Sequence, residues 1–272
     1  MTLLEDVSVR QLPTRHESGA MNMALDAVAA ETVSDGGPAS VRVYGWEPST
    51  LTLGYAQDPA TIDWEHCRTA GVEVTRRPTG GGAIYHDAAG DVSYSIVVPR
   101  DSLPEDLLES YHALCRPVQS ALASLGVEAT FADSAAPAIH EPVCYLRDLN
   151  PAHDLVVSTP DGPRKISGNA QHRQRDAIVQ HGSITVRSTP DAHLACFTTD
   201  TIGPETFRER VCGLNECGVP DREVVIDALE TSLRDTFDAT TQEWSSSERN
   251  RATELVDTKF GADSWVREGQ ER

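Results

Sequence analysis

The sequence predicts an α+β domain: a strand-built centre flanked by helices, ending in a helical C-terminal portion. Three observations carry this. Short β-rich runs bounded by Gly, Pro and Asp recur between Ser40 and Val186. A helical periodicity precedes them at 17–33, another interrupts them at 104–125, and every signal beyond residue 188 is helical. With 272 residues, the chain is long enough for one large domain, or one domain with an appendage.

In order, Glu17–Val33 places Met21, Leu25 and Val28 on one helical face before an Asp-Gly-Gly-Pro stop at 35–38. SVRVYGW (40–46) alternates as a strand, and after Glu-Pro-Ser the run LTLGYAQ reads as its hairpin partner. Residues 59–70 start on Pro and end before Gly71, a short helix, and Val72–Arg76 is a strand. Asp91–Val98 is another strand, so the glycines at 80–82 lie between extended segments. Pro104–Leu125 carries an apolar stripe of Leu107, Leu108, Tyr111, Leu114, Val118 and Leu122. Residues 127–132 read as extended and 133–143 as loop. DLVVS (154–158), a turn at 161–163 and RKISG (164–168) form a hairpin, and AIVQHGSITV (177–186) closes the sheet. Helices follow at 204–213, 221–237 and 246–259.

Composition excludes several classes. Acidic residues number 42 against 23 basic ones, a formal charge of −19, which argues against binding a nucleic-acid backbone. The excess is dispersed, and only two lysines, Lys165 and Lys259, stand beside 21 arginines. This fits a salt-adapted cytoplasm, where the Debye length falls to about 3 Å in molar salt; high-GC codon bias is the other source. No run of 18 apolar residues exists to span a membrane. The early acidic residues and missing apolar core of the N-terminus speak against a secretory signal. Six cysteines without a CxxC pair read as reduced cytoplasmic thiols, and no metal site is expected.

The chemistry concentrates in RRPTGGGAIYHD, residues 76–87. Three successive glycines give up packing and conformational entropy, which a fold tolerates where backbone bends sharply or approaches something closely. Two arginines just before them make an anion the natural partner, an activated acid or a nucleotide phosphate. A second constellation is RKISGNAQ (164–171), where Lys165 follows a tight turn and precedes small residues. A hairpin lysine is ordinarily a surface residue. In a chain that writes arginine almost everywhere, Lys165 stands out as a compact donor able to bridge a carbonyl and a phosphate oxygen. A third is VQHGSITV (179–186).

Together, RRPTGGGAIYHD, KISGNAQ and QHGS, in this order and spacing, resemble the lipoate-protein ligase and octanoyltransferase family, which shares its catalytic domain with biotin-protein ligases. The resemblance runs from NMALD (22–26) to about residue 238 and implies a mixed, largely antiparallel sheet flanked by helices. It divides the chain into a catalytic domain, 1–238, and a helical tail, 239–272. By position, it implies that Arg76, Arg77, Gly80, Gly81, Gly82, Ala83, Ile84 and Tyr85 wrap an acyl-adenylate, with backbone N–H groups meeting phosphate oxygens. His86 and Asp87 end that segment, with turn hydrogen bonding as an equal account of them. Lys165 would contact the acyl carbonyl and α-phosphate, Gly168 and Ala170 would leave room for the acyl chain, and His181 and Gly182 would lie on the adjoining strand. A satisfied core histidine is the other reading of His181.

The resemblance then implies activation of lipoate or octanoate by ATP and Mg²⁺ and transfer to a lysine of a lipoyl domain, on a 2-oxoacid dehydrogenase E2 or glycine-cleavage H protein. Cys144, in PVCYLRD, opens a second route: some family octanoyltransferases take the acyl group from acyl carrier protein onto a cysteine in about this region, without ATP. A small buried thiol is the commoner fate of such a residue. The short tail suits either that transferase or an archaeal-type ligase with a small accessory subunit. The ATP-dependent ligase is the first expectation and the Cys144 transferase the second. A non-catalytic acyl- or nucleotide-binding protein is the third, weakened by the presence of Lys165.

Overall fold

The computed structural model describes residues 4, 7–149, 153–199 and 201–269. Strand β1 (Val9–Glu17) leads into α1 (Gly19–Ser34), followed by β2 (Ala39–Trp46) and β3 (Thr50–Leu53). Next come α2 (Trp64–Thr69), β4 (Glu73–Arg76), β5 (Ile84–His86), β6 (Asp91–Pro99) and α3 (Leu107–Ser124). After β7 (Thr130–Phe131), strands β8 (Asp154–Thr159), β9 (Gly162–Arg173) and β10 (Ala177–Thr185) run consecutively. The order ends with α4 (Pro190–Leu194), α5 (Pro204–Arg210), α6 (Arg222–Phe237), β11 (Thr240–Thr241), α7 (Ser246–Leu255) and α8 (Asp263–Val266).

Among the described residues, eight strands form one sheet in the order β11-β1-β2-β6-β10-β9-β8-β7, and β4-β3-β5 form a second. In the large sheet β1 is parallel to β11 and β2 and every other pair is antiparallel, so the sheet is mixed and largely antiparallel. Alternation along β6 explains the layering. Val92, Tyr94, Ile96 and Val98 join Leu114, Val118 and Leu122 of α3 and Leu229 and Leu233 of α6 in one core. Val97 faces the other side, where Leu25 and Val28 of α1, Trp46, Phe260 and Trp265 pack together. Helix α1 is buried for most of its length; Ser18 accepts from the Met21 N–H, and Glu73 of β4 accepts from the N–H groups of Gly19 and Ala20 at 2.7 and 3.0 Å. An acidic side chain from a neighbouring strand thus satisfies donors that the helix start leaves unpaired.

Several local expectations change. LTLGYAQ is not the hairpin partner of SVRVYGW: both edges of β2 are occupied, by β1 and β6, so β3 pairs in the second sheet instead. AIVQHGSITV does not close the sheet; β10 is interior, between β6 and β9, which fits its almost complete burial. Leu107 and Leu108 lie in the first turn of α3 and are exposed, beyond the reach of the sheet. Strand β1, which carried no strand expectation, contains Pro13 at a register shift against β2, the one kind of interior position where a missing N–H breaks no ladder bond. Among the described residues no helix is long and apolar enough to cross a membrane.

Candidate active site

A cavity of about 680 Å³ opens between the two sheets. The glycine loop supplies one wall through Arg77, Gly80, Gly81, Gly82, Ile84 and His86. Lys165, Gly168 and Ala170 of β9 and His181 of β10 supply the opposite wall, with Cys144 between them. Eleven of the residues singled out from the sequence therefore meet in one space, although they span more than a hundred positions.

Three others of that set face elsewhere. Arg76 is buried with its guanidinium donating to the carbonyls of Gly54, Tyr55, Gln57, Trp265 and Val266, so it binds the chain's C-terminal turns and not an anion. Tyr85, the outward residue of β5, packs by His193. Ala83 is fully buried and exchanges backbone hydrogen bonds with the Cys144 segment: its N–H donates to the Pro142 carbonyl and its carbonyl accepts from the Cys144 N–H, each at 2.8 Å. Ala83 thereby fastens Cys144 to the loop.

The glycines are needed for that fastening. A Cβ on Gly82 would lie 2.9 Å from the Cys144 nitrogen and 2.7 Å from Arg147 Cδ, and one on Gly54 would lie 1.9 Å from the Gly81 carbonyl oxygen. Arg77 is fixed beneath the loop, donating to the carbonyls of Thr52, Gly80 and Gly82 at 2.7–2.9 Å. Burial pushes this guanidinium down from its ordinary value, yet an arginine keeps its charge in a protein. Arg77 thus lines the cavity with donors turned back onto the carbonyls of the loop and of Thr52.

Lys165 places a buried cation in the cavity wall. Strand β9 carries an extra residue against β8 here, with Ser167 opposite Leu155 but Lys165 opposite Val156, and such a bulge re-aims the side chain beside it. The ammonium lies 2.5 Å from Asp154 Oδ1, 3.8 Å from Cys144 Sγ and 5.0 Å from the centre of the Tyr145 ring. Burial alone would lower its pKa, but Asp154, Cys144 and Tyr145 together hold it above the ordinary lysine value, so it is a fixed cation. A Cβ on Gly168 would meet Lys165 Cε and Nζ at 3.1 Å, so this glycine, which also lines the cavity, makes room for the lysine. The other lysine, Lys259, lies over the Trp265 ring at 4.3 Å, far from this chemistry in the fold's C-terminal layer.

The two predicted histidines tie the walls together. His181 is hydrogen-bonded through Nε2 to Thr79 Oγ1 at 2.8 Å and through Nδ1 to Asp26 Oδ2 at 3.3 Å. Burial would raise Asp26, but Arg42 and then His181 hold it at about 2. The motifs NMALD, RRPTGGG and QHGS are thus one buried network. His86 bonds to Asp91 through Nδ1 and to Thr52 Oγ1 through Nε2 and stacks on Trp46 at 4.0 Å; burial lowers its pKa against the pull of Asp91. Met23, Tyr44, Trp46 and Ile84 make the apolar part of the lining.

Sequence reasoning missed Asp154, His153, Tyr145, Arg147 and Gly54. Only Asp154 had a usable signal: counting back along the hairpin from its turn places it opposite Ser167, and the bulge moves it one residue on, opposite Gly168. Among the described residues no group of three or more His, Cys, Asp or Glu side chains could hold a metal ion.

Comparisons with known proteins bear on the family and the fold. Residues 18–238 match the family described as the Lipoyl protein ligase A/B catalytic domain. The octanoyltransferase LipM of Kyrpidia tusciae is 34% identical, over 94% of this chain and 97% of that protein, and the LipM of Bacillus subtilis is 28% identical over 94% and 96%. Among solved structures, the bi-partite lipoate protein ligase of Thermoplasma acidophilum, described with its E2 lipoyl domain, has a TM-score of 0.78 at 22% identity and covers 98% of each chain. A lipoate-protein ligase A bound with ATP has a TM-score of 0.79 at 22% identity, covering 97% of this chain and all of that one. The chain belongs to the lipoyl protein ligase A/B catalytic-domain family, whose enzymes act on lipoyl and octanoyl groups.

Proposed function

We propose that this enzyme is an octanoyltransferase that carries its acyl group on Cys144. The observation that supports this most is the Cys144 sulfur 3.8 Å from the Lys165 ammonium, both lining the cavity. A small buried thiol of no function would have no reason to share a cavity wall with a buried, fixed cation. The identity to LipM proteins along nearly the whole chain supports the same reading.

In this mechanism the thioester of octanoyl-acyl carrier protein enters with its chain along Met23, Tyr44, Trp46 and Ile84. The Cys144 sulfur attacks the carbonyl carbon, and its proton passes to the departing carrier sulfur. Lys165 stands where the carbonyl oxygen gains negative charge, and a preformed cation in a water-poor site is worth most there. The bond to the carrier sulfur breaks, the carrier leaves as its thiol, and octanoyl-Cys144 remains. The ε-amine of a lysine on a lipoyl domain then attacks this thioester, an amide forms, and Cys144 is released. The acceptor is a lipoyl domain of a 2-oxoacid dehydrogenase E2 or a glycine-cleavage H protein, a partner class consistent with the E2 lipoyl domain named with the Thermoplasma ligase.

Intact-mass measurement tests this. Incubation with octanoyl-acyl carrier protein should add one octanoyl group to the wild type and none to Cys144→Ser, and a lipoyl domain should then remove it. The ATP-dependent route expected first from sequence is the second arm: lipoate or octanoate with ATP and Mg²⁺ in place of the carrier. Modification of the lipoyl domain only in that arm, retained in Cys144→Ser, overturns the proposal.

A further inference from the structure

Three imidazoles line the cavity, those of His86, His153 and His181. His86 and His181 each have both ring nitrogens engaged, by Asp91 and Thr52 and by Asp26 and Thr79. His153 differs. Neither of its ring nitrogens is hydrogen-bonded to a described residue, while the ring itself is held by stacking on Tyr111, with centres 3.9 Å apart. Its carbonyl accepts from the Asn169 side chain at 2.6 Å, and the next residue, Asp154, grips Lys165. The imidazole is therefore oriented by its ring face and backbone and half-open to the cavity.

Amide formation needs such a group. A lysine arriving from a partner is an ammonium, with only about one molecule in a thousand deprotonated near neutral pH. The nitrogen that attacks must also shed a proton as the tetrahedral intermediate collapses. Lys165 cannot accept it, because Asp154 keeps it charged. We propose that His153 is the general base of the aminolysis step, taking the proton from the acceptor lysine as its nitrogen bonds to the acyl carbon. The C–S bond to Cys144 breaks, the sulfur leaves with the electron pair, and the imidazolium returns its proton to water. With an acyl-adenylate the same transfer holds and AMP leaves instead.

The surroundings favour the neutral, accepting form of the ring. Burial lowers the pKa of His153, Asp154 raises it and Lys165 lowers it, while Tyr111 is itself pushed up to about 12 by burial and stays uncharged. Asp148, Glu141 and Arg147 also line this cavity; the first two present negative charge to an incoming ammonium. This role rests on the family's amide-forming step and is separable from the carrier of the acyl group.

The test is a single-turnover transfer from preformed octanoyl-enzyme to a lipoyl domain across a pH series, comparing wild type with His153→Gln and His153→Ala. Transfer in both variants should fall about 100-fold, far more than acyl loading, which also reports that they fold. Their transfer rate should keep rising with pH where the wild type levels off, and added imidazole should partly restore His153→Ala. Transfer within twofold of wild type with the same pH profile overturns the role, as does an equal fall in loading and transfer. If the wild type forms no octanoyl-enzyme, the cysteine route has failed but the base is still tested, by the same comparison with synthetic octanoyl-AMP as donor.

Discussion

The Lys165 ammonium lies 3.8 Å from the Cys144 sulfur, though the two residues come from a strand and a separate loop 21 positions apart. The distance exists because Asp154 pulls the lysine from β8 while Ala83 holds the Cys144 backbone from the other side. Lys165→Ala should therefore lower octanoyl loading by about 100-fold or more, the range seen when one donor to a developing oxyanion is removed. Lys165→Arg should rescue little, since the slot beside Gly168 is already filled by an ammonium. Loading rates from intact-mass time courses decide this, and near-wild-type loading by Lys165→Ala would refute the role.

Gly168→Ala is a milder probe of the same placement. Its Cβ would press on Lys165 Cε and Nζ at 3.1 Å without altering charge. The expected result is a loading rate lowered roughly tenfold, equal to about 1.4 kcal/mol on the barrier, with the melting temperature little changed. An unchanged rate would mean that the lysine has room to spare.

Arg76 should behave as a structural residue. Replacing it with Met leaves five carbonyl oxygens without their shared donor, and loss of a buried charged partner destabilises by about 3–5 kcal/mol. Urea unfolding of Arg76→Met should show a loss of this order. A change below about 1 kcal/mol would place the guanidinium outside the stability of the fold.

Buried His193 gives the protein an acid-side weakness. Burial, then the nearby His86, lowers its pKa from 6.5 to about 3, so the unfolded chain takes up a proton below 6.5 that the folded chain refuses. The stability from this residue is complete above 6.5 and is lost towards pH 3, at up to about 1.4 kcal/mol per pH unit. Asp26, held at about 2, adds stability that is complete above 3.8 and is lost only between 3.8 and about 2. Urea midpoints should thus decline from about pH 6.5 to 4.5, and more shallowly in His193→Phe. Identical slopes would contradict the assignment.

The charge of −19 predicts a salt response. Like charges repel in the compact state, and at 1 M salt the Debye length is about 3 Å. The melting temperature should rise from dilute buffer to molar KCl. A fall would mean that surface pairs such as Arg251–Glu31, 3.0 Å apart, outweigh the net repulsion.

Local pattern was enough for some elements and misleading for others. The 154–168 hairpin was legible because the Pro-Asp-Gly-Pro cluster at 160–163 separates two strand-forming runs, although the turn itself is Pro160-Asp161, with Gly162 and Pro163 already in β9. Helix α6 was legible because its expected bounds match within a residue. Strand β1 was hidden by Pro13 and by charged residues, which are tolerated because a bulge and the C-terminal strand β11 accommodate them. Strand β5, three residues long, was hidden within a motif that read as loop. The β2–β3 hairpin was a sound local inference overruled by β6, which takes the edge β3 would have needed.

By itself the sequence determined the family, the fold class and most of the cavity's residue types, because glycine triplets, a rare lysine and their order are properties of a linear chain. It also singled out Cys144 and Lys165 separately. Only the tertiary structure decided which charges are available: Arg76 and Arg77 are bound by carbonyls, Lys165 by Asp154, and two of three cavity histidines by their own partners. A residue's type sets what it can donate or accept. Whether that capacity is already used depends on neighbours brought in from distant segments, which no spacing rule encodes.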